Sequence, residues 1–230
     1  MKDVTLIFIW WLLFGGSHIL GSTIGVRTYV IGKIGNLGFK ALYSLVALAI
    51  FMPLCLVYFS HKHGGHMLFS PSDTLQLFTH ILMLAAFFVL FQGLVTPSPM
   101  TTQAELTGTF RPSAKGIQRV TRHPQNFAFA LFGLSHLLVN PYVGDWIFFG
   151  GFIVYAVASA IHQDKRLAVT GPEQVKLFQA DTSAMPFYAI LTRKQRFALD
   201  EYNTYGMVAA IIIFILLRLY HPVIFGGFGF

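Results

Sequence analysis

Apolar runs close to membrane-spanning length recur six times in this chain, over residues 4–26, 41–60, 75–96, 126–139, 145–161 and 205–225. A helix needs about 20 residues to cross a hydrocarbon core of about 30 Å. In lipid, only helices and closed barrels satisfy every backbone N–H and C=O. The pattern predicts an all-α, polytopic membrane bundle of six transmembrane helices, with residues 1–230 as a single domain. The fourth run is short, and needs Arg122 and His123 to snorkel at its end. Composition agrees: 55% of residues are hydrophobic and 11% charged, where a soluble domain carries about a quarter charged. No repeat, low-complexity tract or soluble domain interrupts the runs. The first run resembles a signal peptide in having Lys2 ahead of it. However, Trp10, Trp11 and His18 and the lack of a small-residue cleavage site mark it as a helix of the mature protein.

Charge predicts the orientation. The stretches after the first, third and fifth runs hold thirteen of the sixteen Lys and Arg residues. The positive-inside rule puts these stretches in the cytoplasm and both termini outside. The net charge of +7 is thus a matter of topology. The expected partner is the lipid bilayer, and no nucleic acid is expected. Cys55, the single cysteine, has no internal disulfide partner and reads as a small packing residue.

Two cytoplasmic stretches are long. Residues 98–115 are expected to be irregular. In residues 164–203, Thr170-Gly171-Pro172-Glu173 is a helix-start signal, and Val175, Leu177 and Phe178 give the helix an apolar side. Residues 182–186 break it. A second amphipathic piece is expected over 193–202, and both pieces should lie on the membrane or cap the bundle.

Ionisable side chains at membrane depth are costly, so each is a functional candidate whose partner must be found. His18 lies nine residues before Arg27, about 13 Å from that edge, and His136 fourteen residues after Arg122, about 21 Å from it. Two imidazoles on different helices can ligate one haem iron, or they can be separate packing residues. Arg111, Arg119, Arg122 and Arg166 would suit haem carboxylates, and Phe14, Phe127, Phe129 and Phe132 would suit a porphyrin face. His80 reads as a hydrogen-bonded packing residue, His221 as interfacial, and His162 as the cytoplasmic end of the fifth run. His61, His63 and His66 read as a solvated outer loop, since their spacing matches no zinc pattern. Pro124 fits a first helical turn. His123 is placed to hydrogen-bond Asp164 or, with Arg122, to bind an anionic head group.

The stretch from Gly116 to Asn140, with its Arg119-Val-Thr-Arg-His-Pro124 core and Ser135-His136-Leu-Leu138, resembles the NnrU family. Phe149-Gly-Gly-Phe152, Asp164-Lys165-Arg166, Tyr43-Ser44-Leu45-Val46, residues 14–18, and Thr182 to Pro186 followed by Phe187 extend the resemblance over nearly the whole chain. That family includes 15-cis-zeta-carotene isomerases and bacterial proteins of nitrite and nitric oxide metabolism. The resemblance implies a bacterial inner-membrane protein that binds haem b through His18 and His136, with Arg119, Arg122 and His123 beside the cofactor. It implies an apolar or small-gas ligand. The role would lie in denitrification or nitric oxide and nitrite metabolism, or in haem-dependent cis–trans isomerisation of a polyene such as zeta-carotene. No catalytic residue is assigned. The isomerase pattern has a cysteine three residues before the second histidine, where this chain has Gly133, so a ligand switch through that thiol is not available.

The Arg-His-Pro stretch is also similar to that of isoprenylcysteine carboxyl and phospholipid methyltransferases. These pair it with a later acidic pair around S-adenosylmethionine. Here it continues Gln125-Asn126-Phe127-Ala128, and the later pair is Gln163-Asp164.

Overall fold

The computed structural model describes residues 2–100, 104, 108 and 113–226. In chain order the helices are α1 (Lys2–Gly21), α2 (Ile24–Ser60), α3 (Asp73–Val95), α4 (Ile117–Val120), α5 (Pro124–Leu137), α6 (Val143–Thr170), α7 (Glu173–Asp181), α8 (Tyr188–Leu191) and α9 (Thr204–Phe225), with a 3-10 turn at Leu199–Glu201. Arg111 and most of 101–112 lie outside the described residues, as does much of the stretch expected to be irregular. Local chemistry sets the ends. Ser72 accepts from Leu75 N–H at the start of α3, and Asn203 accepts from Gly206 N–H at the start of α9, each supplying an orphan amide with a partner. Pro124 opens α5, where its missing N–H leaves no bond unmade.

Five helices, α1, α2, α3, α6 and α9, are long and apolar enough to cross a membrane. The expected sixth, α5, has 14 residues, or about 21 Å of rise. Its approach is made instead by extended chain at Thr121, with φ −152° and ψ 140°. This backbone is buried and satisfied: Arg122 N–H donates to the Ser183 carbonyl and His123 N–H to the Thr121 hydroxyl. Irregular backbone is tolerated at membrane depth only where protein covers it. Here α5 packs between α3 and α6.

The stretch expected as a loop from Arg27 to Lys40 is helical, because α2 begins at Ile24. It bends at Gly35, whose φ of 72° and ψ of 170° lie in a region open essentially to glycine alone. Likewise α6 runs nine residues past the expected end at Ile161, carrying His162, Asp164 and Arg166 on a continuing helix. The expected helix start at Glu173 is found, with Val175 and Phe178 buried against α6 and Leu177 exposed. Residues 193–202 form no α-helix. Gln195 N–H donates to the Ala189 carbonyl, and Arg193 takes a left-handed φ of 60°, so this stretch folds back on the short α8.

The main core joins Ile7, Trp11 and Phe14 of α1 to Leu54 and Tyr58 of α2 and to Phe148 and Phe149 of α6. Trp11 Nε1–H donates to the Phe148 carbonyl at 3.0 Å, and Tyr58 stacks on Phe148 with centroids 3.8 Å apart. The outward faces of α1, α2 and α9 expose large apolar side chains such as Leu12, Leu45 and Ile212, which fits a lipid bilayer around the bundle.

Candidate functional site

Two partly buried ion pairs organise one end of the bundle. Arg122 grips Asp164 of α6 through both Nε and Nη2, at 3.0 and 2.8 Å, and its Nη1 donates to the Gln179 and Thr182 carbonyls. His123 completes the knot, its Nε2 standing 2.8 Å from Asp164 Oδ1. The sequence expectation of a His123–Asp164 hydrogen bond is therefore met. A planar fork on a carboxylate fixes orientation as well as distance. The knot holds α5, α6 and the chain after α7 together. Nearby, Arg119 makes a second fork on Glu201, at 2.8 and 2.7 Å, while Gly116 N–H reaches the same carboxylate. The Arg119 hydrogen bonds lead in holding the Glu201 carboxyl down to about 2, with the Gly116 amide adding to them. Arg119, Arg122 and His123 thus act on intramolecular partners. The methyltransferase reading finds no support, because Arg122, His123 and Asp164 satisfy one another.

The deep histidines lie at different levels. His18 packs among Phe14, Tyr43 and Tyr155, and the Tyr43 hydroxyl donates to its carbonyl at 2.9 Å. His136 stacks on Phe149 at 4.5 Å, touches Phe132, and bonds the Phe132 carbonyl through Nδ1 at 2.9 Å. That bond makes Nδ1 the protonated nitrogen and leaves the Nε2 lone pair available. Tyr155 and Phe149 are six residues apart on α6, about 9 Å of rise. A series of ring contacts, Phe14, Trp11, Phe152 and Phe132, links the two imidazoles. Phe14 and Phe132 belong to this core packing, whereas Phe129 is exposed.

A cavity of about 290 Å³ opens beside His18 at the α1–α2 turn, and His136 is not in its wall. Tyr155, Ser159, His162 and Arg166 line it from α6, Arg27, Lys40 and Tyr43 from α2, and Asn126 from α5. The α6 residues recur at spacings of four, three and four, one face of a helix. That signal was present in the sequence, but ending the fifth run at residue 161 hid it. Arg27 and Lys40 were missed because a loop was expected there.

Elsewhere, His80 bonds the Gln76 carbonyl, as a packing histidine should, and His221 is half-buried against Phe225. The outer histidines depart from a merely solvated loop. His63 Nδ1 lies 2.9 Å from Asp145, a fully buried carboxylate that also accepts from Tyr58. Among the described residues, no group of three or more His, Cys, Asp or Glu side chains is arranged to hold a metal ion.

The NnrU protein family matches residues 6–227 of the chain. The chain belongs to the NnrU family. Among curated relatives of this NnrU-family chain, 15-cis-zeta-carotene isomerase of Arabidopsis thaliana is 27% identical over 179 residues, which is 75% of this chain and 47% of the relative. The Zea mays enzyme of the same name is 24% identical over 190 residues, 80% of this chain and 50% of the relative. The chain therefore spans about half the length of these relatives. No solved structure gives a significant match.

Proposed function

We propose that this NnrU-family chain is a membrane-embedded cis–trans isomerase of a long apolar polyene of the zeta-carotene type, working with haem b held through His18. The observation that carries the reading is the family match over residues 6–227, together with relatives named 15-cis-zeta-carotene isomerase. The residues suit a group bound by one imidazole. His18 borders the cavity, and its backbone is fixed by the Tyr43 hydroxyl. A second bond from His136 requires the Trp11–Phe152 layer to open. When bound, haem would supply electron exchange with the conjugated chain, weakening the double bond about which rotation occurs. The protein's part is to hold the His18 ring between Tyr43 and Tyr155, and to keep water from the apolar ligand with the aromatic rings behind it.

The test is conversion of 15-cis-zeta-carotene in a host that accumulates it, beside visible spectra of the purified protein. Conversion that is lost in His18→Ala, with a Soret band that shifts in His18→Ala and stays in His136→Ala, is the expected result. A folded, haem-loaded protein that converts nothing rejects the isomerase. Titrating the same sample with nitric oxide then tests the family's nitrite and nitric oxide branch.

A further inference from the structure

We infer that the elbow between α7 and α9, residues 185–202, is a membrane-docking surface whose partner is the lipid of the leaflet on the basic side of the bilayer. The elbow inserts below the head groups instead of facing water. The inference goes beyond the isomerase reading and does not rest on it.

The elbow carries its large apolar side chains outward. Phe187, Tyr188, Leu191, Phe197 and Leu199 are all exposed, Leu191 to 78% and Phe197 to 53%. The residues it buries most deeply are small, namely Ala189 and Ala198. A surface bathed in water sorts these sizes the other way, and a concentration of exposed apolar side chains marks an interaction surface. Two backbone outliers bracket α8. Phe187 precedes it with a φ of 62°, and Arg193 follows it with a φ of 60°, in a left-handed region uncommon for residues other than glycine. Such strain persists only where the surroundings hold it, and it gathers at functional sites.

Depth identifies the partner. On the inner side of the elbow, Ile190 and Tyr202 pack on the cluster formed by Val89 of α3, Val120 of α4 and Ala128 of α5. The Tyr202 ring lies 5.3 Å from that of Phe88. Phe88 lies seven residues before Val95, where α3 ends, which is about 10 Å of rise. The 23 residues of α3 make about 34 Å, little more than a hydrocarbon core of about 30 Å. The elbow therefore meets α3 below the head groups, at a level where lipid surrounds the bundle. A soluble partner would have to enter the leaflet to cover it.

The surface also runs on into a lipid-facing helix. The span α9 starts at Thr204, directly after the elbow, and Met207, Val208 and Ile211 on it are exposed. Tyr188 and Tyr205 are exposed as well, and amphipathic rings gather at the head-group boundary. Arg193, Lys194 and Arg196 are exposed on the same elbow, at the end of the bundle where the positive-inside rule places cations. Their long stems let the charges rise to the head groups while the apolar side chains stay below.

The experiment is spin-label accessibility of the full chain in phosphatidylcholine nanodiscs, in a Cys55→Ser background, with Cys55→Ala in its place if the serine variant does not fold. Leu191→Cys and Phe197→Cys carry the label on the elbow. Leu48→Cys, exposed within the α2 span, is the lipid reference, and Glu173→Cys, exposed on α7, is the water reference. Oxygen concentrates in hydrocarbon, whereas a hydrophilic nickel chelate stays in water. The expected result is a ratio of oxygen to nickel collisions at residues 191 and 197 severalfold above that at residue 173, and nearer that at residue 48. A ratio equal to that at residue 173 puts the elbow in water and overturns the inference. Low collision with both reagents means that protein covers the surface, be it a second copy, another chain or a segment of this one, and overturns it equally. Leu191 and Phe197 are exposed, so a label on either spares the core, and if one variant does not fold the other decides. Neither haem nor polyene enters the measurement, so its outcome is separate from that of the isomerase test.

Discussion

Gly133 of α5 lies so close to Phe149 of α6 that a Cβ at residue 133 would stand 2.5 Å from the Phe149 carbonyl oxygen. No side chain fits there without moving one helix. In the isomerase pattern this position is a cysteine, so the departure from that pattern coincides with a close approach of two backbones. His136, three residues further on, is carried against Phe149 by the same contact.

Gly133→Cys is therefore expected to destabilise the fold by about 1–3 kcal/mol through overpacking. It should also loosen α5 from α6. Thermal unfolding in detergent beside Gly150→Cys measures the cost. Gly150, one residue after Phe149, has open space around its Cβ direction, so the two variants should differ clearly.

Arg122→Ala leaves the partly buried Asp164 without its main cation. Removing hydrogen bonds to a charged group costs about 1.5–3 kcal/mol, and His123 and Gln179 remain on the carboxylate. Arg122→Lys restores the charge but not the fork, and it cannot reach Asp164 and the Gln179 and Thr182 carbonyls together. Stability should rank wild type, Lys, Ala. Proteolytic cutting after α7 should rise in the same order, because the knot ties that segment to α6.

Acid should release the other clamp. Glu201 titrates near 2 in the folded protein, against an ordinary value of 4.5. A depressed carboxyl stabilises the fold above its unfolded value, and that contribution is lost as pH falls from about 4.5 towards 2. Glu201→Gln should therefore lower Tm at neutral pH. It should also flatten the decline of Tm in that acid window relative to wild type. Equal slopes in the two proteins would refute the assignment.

Gly35→Ala forces a Cβ into a φ of 72°, a backbone state costing about 1–3 kcal/mol for other residues. No atom crowds the site, so the chain has a way out: residue 35 can become helical and straighten α2. Spin labels at Tyr29 and Leu48, both exposed on α2, should then move apart.

The apolar runs determined an all-helical membrane bundle without help from tertiary contacts, because lipid leaves the backbone no other way to satisfy itself. The same local logic identified the Glu173 helix start, the Pro124 first turn and the His123–Asp164 bond, whose partners carry recognisable chemistry. Tertiary packing decided the rest. Extended chain around Thr121 is held by neighbours that cover it and satisfy its amides, so α5 is shorter than a full span. Gly35 turns an expected loop into a bent helix, which brings Arg27 and Lys40 to the cavity. His18 and His136 have similar sequence settings, yet only His18 meets the cavity. Depth along a helix is a local quantity, but the direction a side chain faces depends on which helix packs beside it.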